Sequence, residues 1–291
     1  MNARMVAWPN TLYMCCPTGD GAAAAVLTTM DKARQFTTTP IKVAASVLTS
    51  DPWSQRDLTL FDVNALRLPA GTSTADRARV QVLAAATVAF SQGIAYYHAG
   101  VDTLRSKSLD RNSYDSGDWF NRLDWTYTDN HFGVGLPRQA DNGADWALLQ
   151  PFLANTGSIK PTAGDIAFTR DAFRDLMKIR ASTTLLRLRT AQDIRDRLSF
   201  HNLGGTQVPT VLMGHVNGSG YAGANFRELV YLVNVGTTEQ TVTAAPLAGK
   251  AFVLHPAHAT GADARARSAS YASGSGAFTV PARTAVVFVV N

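Results

Sequence analysis

The sequence QGIAYY occupies residues 92–97 and decides how the first half of the chain is interpreted. It is short, apolar and aromatic and lies between glycines, a pattern that predicts a buried strand. Before it, Ser73 offers an N-cap. A helical face runs through Val80, Leu83, Ala84 and Val88. A helix followed by a glycine and a buried strand is the order expected in a (β/α)8 barrel.

Residues 98–165 are rich in polar and aromatic side chains and show no helical or strand periodicity. Within this segment, residues 104–108 read LRSKS and residues 110–121 read DRNSYDSGDWFN, which are rich in amides, carboxylates and guanidinium groups. Such groups bind the paired hydroxyls of sugars, and Trp119 and Phe120 offer flat apolar faces. Because Asp, Ser, Gly and Asn are also turn residues, composition alone leaves open whether the segment is a sugar-binding loop or a turn-rich connector.

The chain changes character after residue 188. An amphipathic helix is predicted at residues 171–181, and short β-rich runs separated by Gly, Asn, Ser and Pro follow it. These runs lie at residues 208–213, 226–234, 241–243, 251–254, 277–280 and 285–290. The pattern predicts an all-β sandwich that begins near residues 183–200.

Four short segments, taken in order and at matching spacing, resemble the last barrel strand and the following loop of pullulanases and limit dextrinases. They are residues 92–95, 104–108, 115–121 and 130–137. A weaker resemblance extends from residue 59 to the end of the chain. This family belongs to the α-amylase-like glycoside hydrolases, whose members cleave α-1,6 branch points in pullulan, glycogen and limit dextrins.

The resemblance implies a fold of two classes, α/β plus all-β. We expect residues 59–185 to be the C-terminal part of a (β/α)8 barrel, with a substrate loop at residues 98–140. Residues 186–291 would be a C-terminal antiparallel β-sandwich. Because a barrel without its earlier strands exposes an edge, we expect the β-sandwich to fold by itself and residues 59–180 to pack loosely.

The resemblance also implies an α-glucan-binding wall, formed by Arg105, Asp115, Asp118, Trp119 and Asn121. Trp119 would pack or stack against a sugar ring. Arg105 and Asp118 would bond either to the sugar or to each other, since a buried Arg–Asp pair would shape the loop equally well.

No catalytic residue is expected in this chain. The family's retaining chemistry needs a carboxylate nucleophile and a carboxylic acid close together, and both precede the segment that residues 59–62 resemble. The nearest carboxylates, Asp51, Asp57 and Asp62, are interpreted as turn or cap residues. Residues 55–58 stand where the family has a His-Asp motif. We therefore expect the chain to be inactive alone.

Residues 1–58 show no apolar period longer than a few residues, and only a short helix is expected, near residues 23–32. We leave this segment unassigned and interpret it as translated out of frame or disordered. The alternative to an enzyme remnant is a non-catalytic carbohydrate-binding or structural module. Hydrolysis of pullulan by the purified chain discriminates between the two.

Composition argues against several other functions. The cysteines Cys15 and Cys16 are adjacent and no Cys/His pair stands at zinc spacing, so no metal or cofactor is expected. A calcium site is implied by the family resemblance only. The net charge is +5 and the Lys and Arg residues are scattered along the sequence, so no nucleic-acid surface is predicted. No apolar run has the length of a membrane span, and the first residues do not read as a secretory signal. The compartment stays open.

Overall fold

The computed structural model describes residues 5–7, 10–11 and 58–291. The chain forms two compact units, Met1–Ser50 and Asp51–Asn291. In the first unit, β1 (Met5–Ala7) pairs antiparallel with β2 (Asn10–Thr11). The helix expected near residues 23–32 lies outside the described residues, as do Asp51 and Asp57.

Ten helices occur in residues 58–291, apart from short 3-10 turns. The two long helices carry side-chain caps at their first turns, because Ser73 Oγ accepts from the Asp76 amide and Thr162 forms a capping box with Asp165. The predicted helix at residues 171–181 is confirmed as part of the second of these. The helices are α1 (Leu60–Arg67), α2 (Thr74–Phe90), α3 (Asp118–Asn121), α4 (Gln139–Asn142), α5 (Trp146–Ala154), α6 (Thr156–Ile159), α7 (Ala163–Ser182), α8 (Ala191–Arg197), α9 (Pro256–Ala259) and α10 (Ala264–Arg267).

The β-rich region contains two antiparallel sheets. One has five strands in the order β3-β4-β5-β10-β7, and the other has three in the order β6-β9-β8. The central pair, β5 and β10, is in register over its whole length, with Tyr231 opposite Val287. The strands are β3 (Leu198–His201), β4 (Val211–Asn217), β5 (Glu228–Asn234), β6 (Gln240–Thr243), β7 (Val253–Leu254), β8 (Ser270–Ala272), β9 (Ala277–Val280) and β10 (Thr284–Val290).

One face of the five-stranded sheet packs on the three-stranded sheet, as the alternating apolar pattern predicts for a sandwich. Phe278 of β9 is fully buried and contacts the rings of Phe252, Tyr271 and Phe288. The contacts with Phe252 and Phe288 are edge-to-face, and such contacts add to the stability that burial of the rings provides.

The other face of the five-stranded sheet packs on α2 and α7. This core joins side chains from both the helical and the β-rich parts of the chain. Its members include Leu83, Ala86 and Phe90 of α2, Leu176 and Ile179 of α7, and Leu229, Tyr231, Val233, Val287 and Val289 of the sheet. Residues on both sides of position 185 therefore share one hydrophobic core, and the predicted domain boundary there stays a prediction.

A third core supports the polar segment of residues 98–140. Leu104, Leu109 and Phe132 of that segment are buried against Phe61 of α1 and Ile166 of α7. The segment is thus anchored by apolar side chains at intervals, which explains how a stretch without secondary-structure periodicity is ordered.

The buried strand predicted at residues 94–97 is wrong. No strand forms there, and the side chains of Ile94 and Tyr96 are 90% and 88% exposed. Only Tyr97 packs inward, edge-on to Phe173 with 4.9 Å between ring centroids. A strand needs neighbours for its backbone hydrogen bonds, and no described residue pairs with this segment. The described residues contain no closed barrel, and the barrel remnant stays a prediction.

Two histidines make the stability of this unit depend on pH. Burial lowers the pKa of both His255 and His258 to about 4. For His258, the nearby His255 adds to this effect. Both are therefore neutral in the folded state, whereas the unfolded chain takes up protons near pH 6.5. The stability is fully present above that pH and is lost progressively as the pH falls towards about 4.

We expect the free energy of unfolding to fall by on the order of 3 kcal/mol between about pH 7 and pH 4.5. Urea titrations at the two pH values measure this difference. The variant His258→Gln should show a smaller difference than the parent chain. An equal pH dependence in the two proteins would show that His258 does not contribute to it.

Within residues 58–291 and the short β1–β2 pair, none of the helices has the length and apolar character of a membrane span.

Candidate functional site

An open groove of about 530 Å³ lies between the start of α1 and the polar segment. We call it the loop groove. It is lined by Leu58, Thr59, Leu60, His98, Arg105, Lys107, Asn112, Ser113, Tyr114 and Asn121. Its floor is polar and its opening is wide, which suits a hydrated and extended ligand better than a small apolar one.

Asp62 anchors the loop behind this groove. Its fully buried carboxylate accepts hydrogen bonds from Ser106 Oγ at 2.5 Å and from the Lys107 amide at 2.8 Å. Burial raises the pKa of Asp62, and the hydrogen bonds from Ser106 and Lys107 oppose that shift. The sequence predicts a turn or cap role for Asp62, whereas in the structure it ties α1 to the loop 44 residues later in the chain.

Removing this anchor should loosen the loop. The variant Asp62→Ala leaves the Ser106 hydroxyl and the Lys107 amide without their acceptor, which we expect to cost on the order of 2–3 kcal/mol. Urea unfolding measures the loss, and limited proteolysis should show faster cleavage within residues 104–121. Asp118→Ala, at an exposed carboxylate of the same loop, is the matched control and should leave both measurements unchanged. Equal behaviour of the two variants would contradict the anchoring role.

Arg105 lies at the back of the loop groove and holds two parts of the loop together. Its Nη2 donates to the Asn121 carbonyl oxygen at 3.1 Å, and its Nη1 lies 3.3 Å from His98 Nε2. Its Nε is buried and has no hydrogen-bond partner. Burial, together with the nearby charges of Arg105 and Lys107, lowers the pKa of His98, so this imidazole is neutral at neutral pH.

Asn121 uses its whole amide to brace the loop. Its Oδ1 accepts from Ser113 Oγ at 2.8 Å, and its Nδ2 donates to the carbonyl oxygens of Ser113 at 2.7 Å and Gly117 at 3.0 Å. Asn121 therefore lines the groove and shapes it, but its polar atoms already have partners.

The other three predicted site residues do not line the loop groove. Asp115 forms an ion pair with Arg138 at 2.8 Å. Asp118 is exposed at the start of α3 and does not contact Arg105, so the alternative of a buried Arg–Asp pair is wrong. Trp119 is 59% exposed, and the Arg122 guanidinium lies 5.4 Å from its ring centroid.

Sequence reasoning missed the buried carboxylate that organises this loop. Asp110 accepts from the Asn112 amide at 2.9 Å, Ser116 Oγ at 2.6 Å and Asn142 Nδ2 at 3.1 Å. The bond to the amide two residues later is the Asx-turn signal that an Asp in a turn-rich segment offers. The bond to Asn142 joins positions 32 residues apart, and no local pattern predicts it.

Sequence reasoning also did not single out several lining residues as ligand contacts. Tyr114 is 96% exposed and presents a free aromatic face at the groove. Lys107 and Asn112 add a cation and an amide. All three lie within the quoted segments, but turn composition does not say which side chains of a loop face one groove.

The chemistry of the loop groove is that of hydrogen bonding and stacking. Among the described residues, it is lined by cations, amides, hydroxyls and an aromatic ring, and none of the described lining residues is an aspartate or glutamate. The chain contains two glutamates, Glu228 and Glu239. Glu228 is paired with His215 at 2.8 Å and with Lys250 on the β-sheet, away from the groove lining. In the described part of the chain, no group of three or more His, Cys, Asp or Glu side chains could hold a metal ion.

Comparison with known proteins identifies the family. The family model described as alpha-1,6-glucosidases, pullulanase-type, C-terminal, matches residues 127–291, which is more than half of the chain. The chain belongs to the pullulanase-type α-1,6-glucosidases. The predicted resemblance is thereby confirmed, and residues 127–291 correspond to the carboxyl-terminal region of this family.

Individual pullulanases agree with this assignment. Pullulanase 1, chloroplastic, of Arabidopsis thaliana is 41% identical over 239 residues, which cover 79% of this chain and 25% of the relative. Pullulanase of Klebsiella pneumoniae is 30% identical over 233 residues, covering 79% of this chain and 21% of the relative. The chain thus spans a quarter or less of the length of each of these two pullulanases.

Solved pullulanases share the fold. PulA of Klebsiella oxytoca superposes with a TM-score of 0.74 at 29% identity, covering 81% of this chain and 22% of that protein. A maltotriose complex of PulA from Klebsiella pneumoniae superposes with a TM-score of 0.74 at 27% identity, covering 81% of this chain and 25% of that protein.

A shorter match is to a different enzyme. Acetyl-CoA acetyltransferase of Methanothermobacter thermautotrophicus is 46% identical over 72 residues, which cover 23% of this chain and 19% of that protein.

Proposed function

We propose that residues 59–291 are the carboxyl-terminal portion of a debranching enzyme that hydrolyses α-1,6-glucosidic linkages in pullulan, glycogen or limit dextrins. We further propose that the loop groove is part of its α-glucan-binding wall. The observation that carries the proposal is the match to the pullulanase-type C-terminal family together with a polar, open groove in the same compact unit.

The lining of the loop groove supports α-glucan as its ligand. Arg105 and Lys107 offer charged donors to sugar hydroxyls, and Asn112 offers both a donor and an acceptor. The exposed ring of Tyr114 offers a flat apolar face of the kind that packs on a pyranose ring. One of the matching solved structures is described as a maltotriose complex, which agrees with a malto-oligosaccharide ligand.

The proposal places residues 59–185 at the end of a (β/α)8 barrel. Support comes from the superposition on pullulanases over four fifths of the chain and from the order of α2, the Gln92-Gly93 turn and the segment that follows. In a barrel, loops after the strand ends build the active site, and the polar segment occupies that position after residues 94–97.

Under the same proposal, this chain binds α-glucan but does not hydrolyse its glucosidic linkages. Retaining glycosidases need two carboxyl groups roughly 5–5.5 Å apart. Among the residues that the structure describes, none that lines the loop groove carries a carboxylate. Debranching activity would then belong to the longer enzymes of which this chain represents a quarter or less.

Affinity electrophoresis in gels containing pullulan tests the binding, and a reducing-sugar assay tests the cleavage. We expect the chain to be retarded by pullulan and to release no reducing sugar. Tyr114→Ala should weaken binding by about 2–10-fold, as expected for loss of one aromatic contact. Tyr96→Ala removes an equally exposed ring outside the loop groove and should leave binding unchanged.

The absence of retardation would overturn the proposed binding site. Release of reducing sugar would show that carboxylates outside the groove lining complete a working site. The second candidate is a non-catalytic carbohydrate-binding module, for which retention without hydrolysis is also the expected result.

A further inference from the structure

We infer that Trp125 is a second contact for an α-glucan chain that is bound in the loop groove. Its indole is carried by the turn of residues 124–129, which we call the Trp125 turn. The inference rests on the proposed function of the groove and adds to it a preference for longer glucan chains. A chain that extends from the groove to this indole gains one aromatic contact that a short oligosaccharide does not make.

The side chain of Trp125 stands out because it is 62% exposed, although tryptophan is highly buried on average in folded proteins. Among the described residues, none places a ring, a cation or a hydrogen-bonding atom against this indole. The Arg122 guanidinium, in contrast, lies 5.4 Å from the ring centroid of Trp119. Trp146 Nε1 donates to the Pro137 carbonyl oxygen at 2.8 Å. An exposed indole without such partners is a candidate ligand contact.

The backbone that carries the indole is fixed by Asp124. Its Oδ1 accepts from the Thr126 amide at 2.8 Å and from Thr126 Oγ1 at 2.6 Å, and its Oδ2 accepts from the Thr128 amide at 2.9 Å. Tyr127 in the same turn has a φ of 61°, a left-handed conformation that a bulky residue adopts only where its surroundings impose it. Because the Trp125 turn is ordered before a ligand arrives, less entropy is lost when a ligand binds there.

The groups beside the indole favour a sugar over a protein partner. The Thr126 and Thr128 hydroxyls are exposed and lie 2.8 Å apart, and each can accept a further hydrogen bond from a sugar hydroxyl. A flat apolar face bordered by hydroxyls suits a pyranose ring. A protein interface centred on Trp125 would need a contiguous apolar patch around it, whereas its chain neighbours are Asp124 and Thr126.

Trp125 lies within reach of a chain that occupies the loop groove. Asn121 lines the groove, and Trp125 follows it by four residues, so their Cα atoms are at most about 14 Å apart. Between them, Leu123 lies so close to Gly100 that a side chain at Gly100 would clash with it, which ties this stretch to the back of the groove. We therefore expect a trisaccharide to occupy the groove alone and a heptasaccharide to reach the indole as well.

The test compares maltotriose with maltoheptaose, using the full chain and isothermal titration calorimetry. Trp125→Ala should weaken the binding of maltoheptaose by about 2–10-fold, as expected for loss of one aromatic contact, and should leave the binding of maltotriose unchanged. Trp125→Phe keeps an aromatic face and should restore most of the affinity for maltoheptaose. A longer chain also offers more binding registers, so the decisive comparison is between the parent and each variant with the same ligand.

Three further variants separate this contact from the groove. Asp124→Ala frees the Trp125 turn and should weaken maltoheptaose binding alone, although the indole is still present. Tyr114→Ala, inside the groove, should weaken the binding of both oligosaccharides by the same factor. Phe200→Ala removes another exposed ring, on β3 and 45% exposed, and should affect neither ligand. Melting temperatures within error of the parent for Trp125→Ala and Phe200→Ala show that neither variant disturbs the fold.

Two results would overturn the inference and leave the groove standing. Trp125→Ala binds maltoheptaose as tightly as the parent, or it loses the same factor for both oligosaccharides, which would make the indole part of the groove itself. A parent chain that binds neither oligosaccharide would overturn the proposed function of the groove together with this inference. A parent dimer in gel filtration that Trp125→Ala abolishes would make a second copy the occupant instead of a glucan.

Discussion

A chain that begins at residue 198 is expected to aggregate, although it contains every strand of both sheets. Without α2 and α7, one face of the five-stranded sheet loses its cover, and Leu229, Tyr231, Val233, Val287 and Val289 become exposed. Each of these side chains contributes roughly 1.5–3 kcal/mol when buried, so losing that face costs more than a small domain can spare.

The matched control is a chain of residues 58–291. All three hydrophobic cores lie within it, so we expect it to be monomeric and to unfold in one cooperative step. Gel filtration and thermal melting of the two chains measure the contrast. A monomeric and cooperative chain of residues 198–291 would instead support the sequence-based expectation that the β-sandwich folds by itself.

The variant Arg180→Met is expected to lower the free energy of unfolding by on the order of 3 kcal/mol or more. The buried guanidinium of Arg180 donates to the carbonyl oxygens of Ala89 at 2.6 Å, Ser91 at 3.0 Å and Gly93. These groups end α2 and begin the turn that follows. Methionine fills much of the same space but leaves all three carbonyl groups without a charged donor, at a cost of about 1–3 kcal/mol for each that stays buried.

Arg187→Met is the control for Arg180→Met. Arg187 is exposed and donates to one carbonyl oxygen, that of Arg180, at 2.9 Å, so we expect a loss below about 1 kcal/mol. Arg180→Lys should fall between the two, because one ammonium group cannot reach all the carbonyls that the planar guanidinium reaches. Urea unfolding measures all three variants. If Arg180→Met is as stable as Arg187→Met, the guanidinium does not hold the turn.

The sequence predicts where in the chain the candidate site lies but identifies only some of the residues that line it. The segment that contains the loop groove was located from the order of its residues, and Arg105 and Asn121 do line the groove. Asp115, Asp118 and Trp119 were chosen from the same segment and lie outside its lining. A loop without periodicity gives no rule for the direction of its side chains, so the resemblance located the loop better than its contacts.

The sequence by itself determined the family, the capped helix α2, the second half of α7 and most strands of the β-sandwich. These features depend on local patterns such as caps, periodicity and ordered motifs, which are complete within a few tens of residues. Only the tertiary structure decided that Asp62 and Asp110 anchor the loop and that two helices cover one face of the sheet. It also decided that residues 94–97 remain unpaired. Each of these outcomes depends on groups distant in the chain, or on a neighbouring strand that the described residues do not provide, and no local pattern records either.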